Sequence, residues 1–353
     1  MYQLKISFTI LLGILIFFVS CDSDDGDELC VETTWFEDAD GDGLGNVNSS
    51  LSACDQPTGY VANSDDTDDE GTTPAGSVST YGDALADQVA AGDGNGIDNS
   101  FRISGLVIDE STNSYFAVNG VHPVNMGDYT SYYTKSIVQA SLETDEIIQV
   151  WSFDETTLGR QVDMEALCFA ENTATLYIGD EYNFIYELNL STGEVTREWD
   201  LADIGISTST DRGVEALTYH EGYFYAGIQE ERKIYQLDLH LDATEESDEN
   251  FQAVEARSSF DVNNSPSGLF ADSDGTLYMV AFGGGNVNQN IFSYTASGNL
   301  NCTATIGSEA DIQQADGIYL DSNREYVYIA DSQGALNGLP SVYRISWNGL
   351  TCE

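Results

Sequence analysis

Residues 163–190 read DMEALCFAENTATLYIGDEYNFIYELNL, and the fold class can be predicted from them. It contains three short runs in which aromatic or aliphatic residues alternate with polar ones, and turn-forming residues separate the runs. Such alternation is typical of antiparallel β-strands. The first run is apolar or small at Met164, Ala166 and Leu167, yet the charged Glu165 lies inside it. The stretch therefore predicts a meander of three strands with one carboxylate in its first strand.

The same scheme recurs five times along the chain. Each copy opens with a polar residue, then Ala or Gly, then Leu or Ile, and two further strands follow. The opening segments are RISGLVID, DMEALCF, GVEALTY, SPSGLFA and ADGIYLD, and the intervals between their polar residues are 61, 50, 52 and 49 residues. Four-stranded antiparallel units of about 50 residues are the mark of a β-propeller. We therefore predict an all-β propeller over residues 77–353.

The sequence leaves open the number of blades and the strand that closes the ring. Five blades are predicted, with six as the alternative because the first interval is long. The last unit lacks an outer strand, so part of residues 77–100 is expected to close the ring.

The polar residues that open the repeats are the candidate metal ligands. Because the first strand of each blade lines the central channel, we expect them to converge there. They are Glu165, Glu215 and Asp316, with Ser104 and Ser267 as weaker members, and Asp163 lies close by. Carboxylates brought together without a cation cost about 1 to 4 kcal/mol per pair, whereas Ca²⁺ accepts several oxygen ligands in flexible geometry. We predict calcium in the channel; the alternative is a polar lining without function.

Catalytic residues are not assigned by the sequence. His122 is a candidate general base at the channel mouth, but an ordinary role as a loop residue is the preferred interpretation. Acids that follow the second strands are expected to reach the rim of the channel. These acids are Asp180 with Glu181, Glu230 with Glu231, and Asp331.

Residues 34–69 form a small acidic module ahead of the propeller, joined to it by a linker at residues 70–76. In DADGDGLGNVN, the carboxylates Asp38, Asp40 and Asp42 alternate with small residues, which is the spacing of a calcium loop. It is not a full EF-hand, because Ser49 stands at the twelfth position. The module resembles the MopE-type metal-binding repeat, similar in style to thrombospondin type 3 repeats. We predict a second calcium site here; the alternative is a flexible acidic spacer.

The first residues indicate a lipid anchor. Residues 1–20 have the charge and apolar pattern of a signal peptide, and FVSC resembles a lipobox, which implies lipidation of Cys21. Residues 21–33 form an acidic tether, and DSDDGDEL within it resembles the export signal of surface lipoproteins in Bacteroidetes-type bacteria. We expect an outer-membrane protein at the cell surface; the alternatives are the periplasmic face and an ordinary secretory signal.

Five cysteines remain after Cys21. An odd number implies one free thiol, and the apolar strand makes Cys168 the best candidate for it. The other four group by region and are disulfide candidates, although the sequence leaves their connectivity open. They are Cys30, Cys54, Cys302 and Cys352.

The repeats also resemble those of a known family. DMEALCFAENTATLYIGDEYNFIYELNLSTGEV and GVEALTYHEGYFYAGIQEERKIYQLDL are similar to the SdiA-regulated family, which is related to NHL-repeat propellers. The resemblance implies a five-bladed propeller that binds calcium, with Glu165 and Glu215 in the channel. Ala166 and Ala216 replace a commoner glycine. No reaction is firmly attached to that family.

The overall charge indicates which kinds of partner the protein can bind. With 11 basic and 60 acidic residues the formal net charge is −49, which opposes nucleic acid as a partner and favours cations. The leading prediction is calcium-dependent binding or scaffolding of an unknown extracellular ligand or protein. The alternative is a calcium-dependent hydrolase of esters or lactones. A phytase-like activity ranks lower, because few basic residues are present to hold an anionic substrate.

Overall fold

The computed structural model describes residues 33–37, 45–54, 56–64, 78–81, 103–119, 135–144, 146–153, 158–207, 212–282, 290–306, 312, 314–331 and 341–347. The chain divides into two compact units, Met1–Thr72 and Thr73–Glu353. In the described ranges, no helix has both the length and the apolar character needed to cross a membrane.

The first unit contains a three-stranded antiparallel sheet in the order β2-β1-β3. Its strands are β1 (Thr33–Glu37), β2 (Ser50–Ala53) and β3 (Tyr60–Val61). The backbone N–H of Glu37 donates to the oxygen of Ser49 at 2.8 Å, so the chain returns directly after the predicted calcium loop. The predicted ligands Asp38, Asp40 and Asp42 lie outside the described residues, as do Cys21 and Cys30. Cys54 is disulfide-bonded.

In its described residues, the second unit contains five four-stranded antiparallel sheets. The first contains β5 (Ile103–Asp109), β6 (Ser114–Asn119), β7 (Lys135–Ser141) and β8 (Ile147–Phe153). The second contains β9 (Met164–Phe169), β10 (Thr175–Asp180), β11 (Phe184–Asn189) and β12 (Glu194–Asp200). The third contains β13 (Val214–His220), β14 (Tyr223–Ile228), β15 (Lys233–Asp238) and β16 (Glu255–Asp261). The fourth contains β17 (Ser265–Ala271), β18 (Leu277–Phe282), β19 (Asn290–Tyr294) and β20 (Leu300–Thr305). The fifth contains β21 (Ala315–Leu320), β22 (Tyr326–Asp331), β23 (Ser341–Ser346) and β4 (Val78–Tyr81).

The five sheets are arranged as a propeller. Their first strands contact one another in the order β5, β9, β13, β17 and β21, and β21 contacts β5 again. The fifth sheet is completed by β4, which pairs with β23 in the register Val342↔Tyr81. The ring therefore closes with a strand from residues 77–100, as expected, and the predicted all-β propeller is confirmed.

Aromatic and aliphatic side chains pack between neighbouring sheets. Between the second and third sheets, the rings of Tyr177 and Phe224 have centroids 4.8 Å apart, and Trp199 packs beside them. Burial of each such side chain contributes about 1.5 to 3 kcal/mol. Successive residues of a strand point to opposite faces of its sheet, so the inner strands of a propeller sheet can contribute side chains to the packed layers on both of its sides.

The cysteines of the propeller fall into two kinds. Cys168 is a free, buried thiol, and burial raises its pKa well above the usual range. Cys302 is disulfide-bonded, and Cys352 lies outside the described residues.

Candidate functional site

Each polar residue that opens a repeat occupies a β-bulge. In each of the five propeller sheets, the pairing between the first and second strands skips one residue of the first strand. The skipped residues are Ser104, Glu165, Glu215, Ser267 and Asp316. A bulge takes one side chain out of the alternation of its strand and re-aims it. The strand can therefore keep apolar side chains in both packed layers while it presents one polar group elsewhere.

The small residue after each bulge is explained by close contact between the sheets. A Cβ atom on Gly105 would lie 2.5 Å from the backbone oxygen of Glu165, and one on Gly268 would lie 2.9 Å from Cα of Gly317. At these two positions only glycine, which has no Cβ atom, leaves room for such an approach. The polar-small-aliphatic motif thus places neighbouring bulges side by side around the channel.

Glu215 is the centre of this arrangement. Burial raises its pKa well above the usual range, and a hydrogen bond with Glu181 and the charges of Glu165 and Asp316 raise it further. These groups come from three different sheets, so the carboxylates predicted from the repeat do meet in space. Glu215 and Asp316 also border one small cavity of about 10 Å³. The Oε1 atom of Glu215 is buried and makes no hydrogen bond.

A second set of carboxylates lies next to Glu215. One oxygen each of Asp163, Glu165 and Glu181 lies within 4.8 Å of the other two. The backbone N–H of Glu181 donates to the oxygen of Asp163 at 2.9 Å, which fixes the two residues against each other. Asp163 and Glu165 are buried, whereas Glu181 is half-buried. Glu181 therefore joins the predicted ring, although its own position is outside the repeat motif.

The two serines of the ring differ from the carboxylates. Both are buried, each with about 1% of its surface exposed. The hydroxyl of Ser267 donates to the backbone oxygen of Ala315 at 2.5 Å, so it ties the fourth sheet to the fifth. This contact gives Ser267 a structural role.

Two aspartates that the sequence placed at the rim are buried instead. Asp180 is fully buried, and its Oδ1 accepts from the backbone N–H groups of Asp163 at 3.1 Å and Tyr182 at 2.9 Å. Its Oδ2 accepts from the hydroxyl of Tyr186 at 2.8 Å. Burial raises the pKa of Asp180 to about 6. Asp331 is also fully buried.

Asp331 repeats this contact in the fifth sheet, where its Oδ1 accepts from the backbone N–H of Gln314 at 3.0 Å. Asp163 and Gln314 each lie two residues before a bulge. The two aspartates therefore hold the chain that leads into Glu165 and Asp316, and the prediction that they reach the rim was wrong.

The donors present fit a hard cation. The acidic neighbours of Glu215, which are Glu165, Glu181 and Asp316, all offer carboxylate oxygen, the ligand that Ca²⁺ prefers. Buried carboxylates this close repel one another, and a divalent ion removes that cost. The unbonded Oε1 of Glu215 adds an acceptor that nothing in the described structure satisfies. Zinc chemistry would call for histidine or thiolate ligands.

Histidine contributes nothing to this cluster within the described residues. His220 lies at the far end of β13, 3.8 Å from Glu221, and His240 lies beside Asp238 and Glu255. His122 falls outside the described residues. Of the other acids expected at the rim, Glu231 accepts from the hydroxyl of Tyr235 at 2.6 Å.

Comparison with known proteins finds one matching family model. Residues 102–297, more than half of the chain, match the family model described as "Phytase-like: Esterase-like activity of phytase". The matched range contains four of the five bulged residues and ends before Asp316. The match is to this family, and the resemblance to the SdiA-regulated family stays a prediction. A search of the curated proteins finds no match.

Three solved structures are similar to parts of this chain. The glutaminyl cyclase of Myxococcus xanthus is 12% identical over 72% of this chain and 92% of that chain, with a TM-score of 0.43. The structure of U3-55K is 10% identical over 70% and 95%, with a TM-score of 0.43. A chain of the nidogen/laminin complex is 14% identical over 66% and 73%, with a TM-score of 0.40.

Proposed function

This chain belongs to the Phytase-like family, and from that membership we propose that it is a calcium-dependent hydrolase of esters or lactones. The observation that carries the proposal is the buried group of carboxylates around the unbonded Oε1 of Glu215. The family description, esterase-like activity of phytase, favours hydrolysis over the binding role that the sequence placed first.

Three carboxylates from different sheets would hold the ion: Glu165, Glu215 and Asp316. When bound, Ca²⁺ supplies Lewis-acid polarisation of an ester oxygen. The side chains provide negative charge in a buried place, where it acts more strongly than in water. Asp180 and Asp331 hold the backbone that leads into two of these ligands.

Glu181 is the residue that we assign to proton transfer. It is hydrogen-bonded with Glu215 and lies beside Asp163 and Glu165, yet it is more exposed than they are. A general base must reach both the site and the water that it activates. The Glu181 carboxylate would take one proton from the attacking water and return it to the departing alkoxide, so that acid and alcohol are the products.

The charge of the protein favours a neutral ester over a highly phosphorylated one. The formal net charge is −49, and acidic groups surround the site. Two arginines in or next to the second sheet are paired with other acids, Arg160 with Glu198 and Arg197 with Glu187. A polyanionic substrate would meet repulsion that a neutral carboxylic ester or lactone avoids.

The test compares hydrolysis with calcium binding in the same variants. Wild-type protein is assayed with p-nitrophenyl acetate, a γ-lactone and p-nitrophenyl phosphate, in calcium and in chelator. Glu165→Gln should lose both turnover and the stabilisation by calcium, because a ligand is removed. Glu181→Gln should lose turnover by at least about 100-fold and keep most of the stabilisation. The exposed Glu194→Gln serves as the matched control and should change neither.

The outcomes separate the two functions considered. Turnover of the carboxylic ester or lactone that requires calcium supports hydrolysis. Stabilisation by calcium without turnover of any of the three substrates would support calcium-dependent binding or scaffolding instead. If calcium causes no stabilisation and none of the substrates is turned over, the proposed calcium site in the channel is ruled out.

We further propose a second calcium ion at Asp38, Asp40 and Asp42 and a lipid anchor at Cys21 that holds the protein at the outer surface. The alternating carboxylates and the FVSC motif support these two proposals. Chelation should speed proteolysis within residues 34–69 if the loop binds calcium. Cys21→Ser should release the protein from the membrane fraction, and surface protease should reach the wild type in intact cells.

A further inference from the structure

The channel has a second end, on the other side from the carboxylates around Glu215. The first strands of the five sheets run from the bulges towards the turns that lead into the second strands. Two residues after each bulge stands an aliphatic side chain, and together these five form a layer across the channel. The layer consists of Leu106, Leu167, Leu217, Leu269 and Ile318. It borders the small cavity beside Glu215 on one side and a larger cavity of about 330 Å³ on the other.

Aromatic rings from four different sheets surround the larger cavity. They are Phe169, Tyr219, Phe270 and Tyr319, and all four are half-buried. The rings of Phe270 and Tyr319 meet edge to face, with centroids 4.9 Å apart. Several partly exposed aromatic rings around one cavity form an apolar patch, and such a patch on a protein surface often marks a binding site.

Both tyrosines of this wall are bonded to carboxylates. The hydroxyl of Tyr319 donates to Oε1 of Glu110 at 3.2 Å, and that oxygen also accepts from the backbone N–H of Ser322 at 2.7 Å. The hydroxyl of Tyr219 is hydrogen-bonded with Glu171. Burial and the charge of Glu110 raise the pKa of Tyr319, so its ring stays a neutral phenol. The carboxylates thus hold the two rings in place and add negative charge beside them.

The charged residues in the described lining of this cavity are both acidic. Asp109 and Glu110 border the cavity, and none of the described residues that line it is basic. Aromatic faces carry the negative part of the ring quadrupole, and they attract cations whose hydration is weak. An alkylated ammonium group combines apolar surface with positive charge, which is what this lining complements.

We propose that the aromatic cavity at this end of the channel binds an organic cation of the alkylammonium class. The aliphatic layer forms its floor, the four rings form its wall, and Asp109 and Glu110 supply the opposite charge. The site is separate from the carboxylates around Glu215 and requires neither calcium nor hydrolysis. Its ligand is therefore a second molecule and not part of the ester.

The proposal is tested by titration with choline and with its neutral isostere, 3,3-dimethylbutan-1-ol. Binding to the full chain is followed by calorimetry and tyrosine fluorescence in the presence of chelator, so that the calcium site plays no part. Choline is expected to bind at least about tenfold more tightly than the isostere, because only choline gains cation–π attraction. Phe270→Leu and Tyr319→Leu should each weaken choline about tenfold and leave the isostere nearly unchanged.

Tyr223→Leu is the matched control, because Tyr223 is also half-buried but lines a different cavity. It should bind choline as the wild type does. Thermal unfolding of each variant shows whether the fold is intact, and Tyr219→Phe, which keeps the ring, provides a milder second variant that should retain binding. Equal affinity for choline and the isostere, no binding of choline at millimolar concentration, or wild-type binding by folded Phe270→Leu and Tyr319→Leu would each overturn the proposal.

Discussion

A Cβ atom on Gly105 would lie 2.5 Å from the backbone oxygen of Glu165, so the first two sheets touch backbone to backbone at the ring of bulges. The contact explains why a glycine follows Ser104. It also means that the position of Glu165 depends on the size of a residue in the neighbouring sheet.

Replacement of Gly105 by alanine should therefore disturb the ring. The added methyl group forces one strand to move, and we expect Gly105→Ala to lower the free energy of unfolding by about 1 to 3 kcal/mol. Urea unfolding measures the loss, and calcium titration should show weaker binding. The reverse change in the next sheet, Ala166→Gly, creates no clash and should cost only about 0.5 to 1 kcal/mol. Equal losses in the two variants would show that crowding is not the cause.

Asp180 should act on the cation through the backbone of Asp163. In Asp180→Ala the N–H of Asp163 loses its acceptor in a buried place, and we expect a loss of about 1 to 3 kcal/mol in stability. Calcium affinity should fall as well, because Asp163 and Glu165 are no longer held. Asp180→Asn keeps an oxygen for the two N–H groups and should restore most of both properties. Stability that falls in Asp180→Ala with calcium affinity unchanged would limit Asp180 to a structural role.

Glu215→Gln should have opposite effects with and without calcium. In chelator the change removes a buried carboxylate that its neighbours repel, so the variant should be at least as stable as the wild type. Calcium at a hundredfold excess over its dissociation constant stabilises a native protein by about 2.7 kcal/mol, and the variant should lose most of this gain. Thermal unfolding in both conditions measures the pair of effects, with Glu194→Gln as the control. A variant less stable than the wild type in chelator would contradict the predicted repulsion.

The buried pair of Glu187 and Arg197 should make stability depend on pH. Burial alone would raise the pKa of Glu187, but hydrogen bonds from Arg197 and Thr196 outweigh it and lower the pKa below the usual 4.5. Because the folded-state pKa is the lower one, this contribution is complete above pH 4.5 and is lost as the pH falls through the folded-state pKa. Glu187→Gln should cost about 3 kcal/mol at pH 7, since it leaves the Arg197 charge buried without its partner.

Urea unfolding between pH 3 and pH 7 checks this prediction. The difference in stability between wild type and Glu187→Gln should shrink towards the acid end of the range. A constant difference across the range would mean that the ion pair does not govern it. Asp238→Asn, which removes a carboxylate paired with Arg257 nearer the surface, should cost less than 1 kcal/mol.

The sequence alone was enough for the repeat, the strand pattern and the polar position that opens each unit. These features are local, because alternation along a strand depends only on neighbouring residues. The closing strand was also accessible, since a count of strands showed that one was missing. Glu165, Glu215 and Asp316 were named as members of one recurring position, and each of them is the residue skipped at the bulge of its sheet.

Only the tertiary structure decided which groups surround that position. Glu181 joins the cluster and Asp180 is buried against the backbone, although the two are adjacent in the chain and were expected together at the rim. The bulges, the contact of Gly105 with Glu165 and the aliphatic layer between the two ends of the channel depend on which strands meet. Electrostatic interaction acts through space, so it is set by distances between sheets that no local pattern contains.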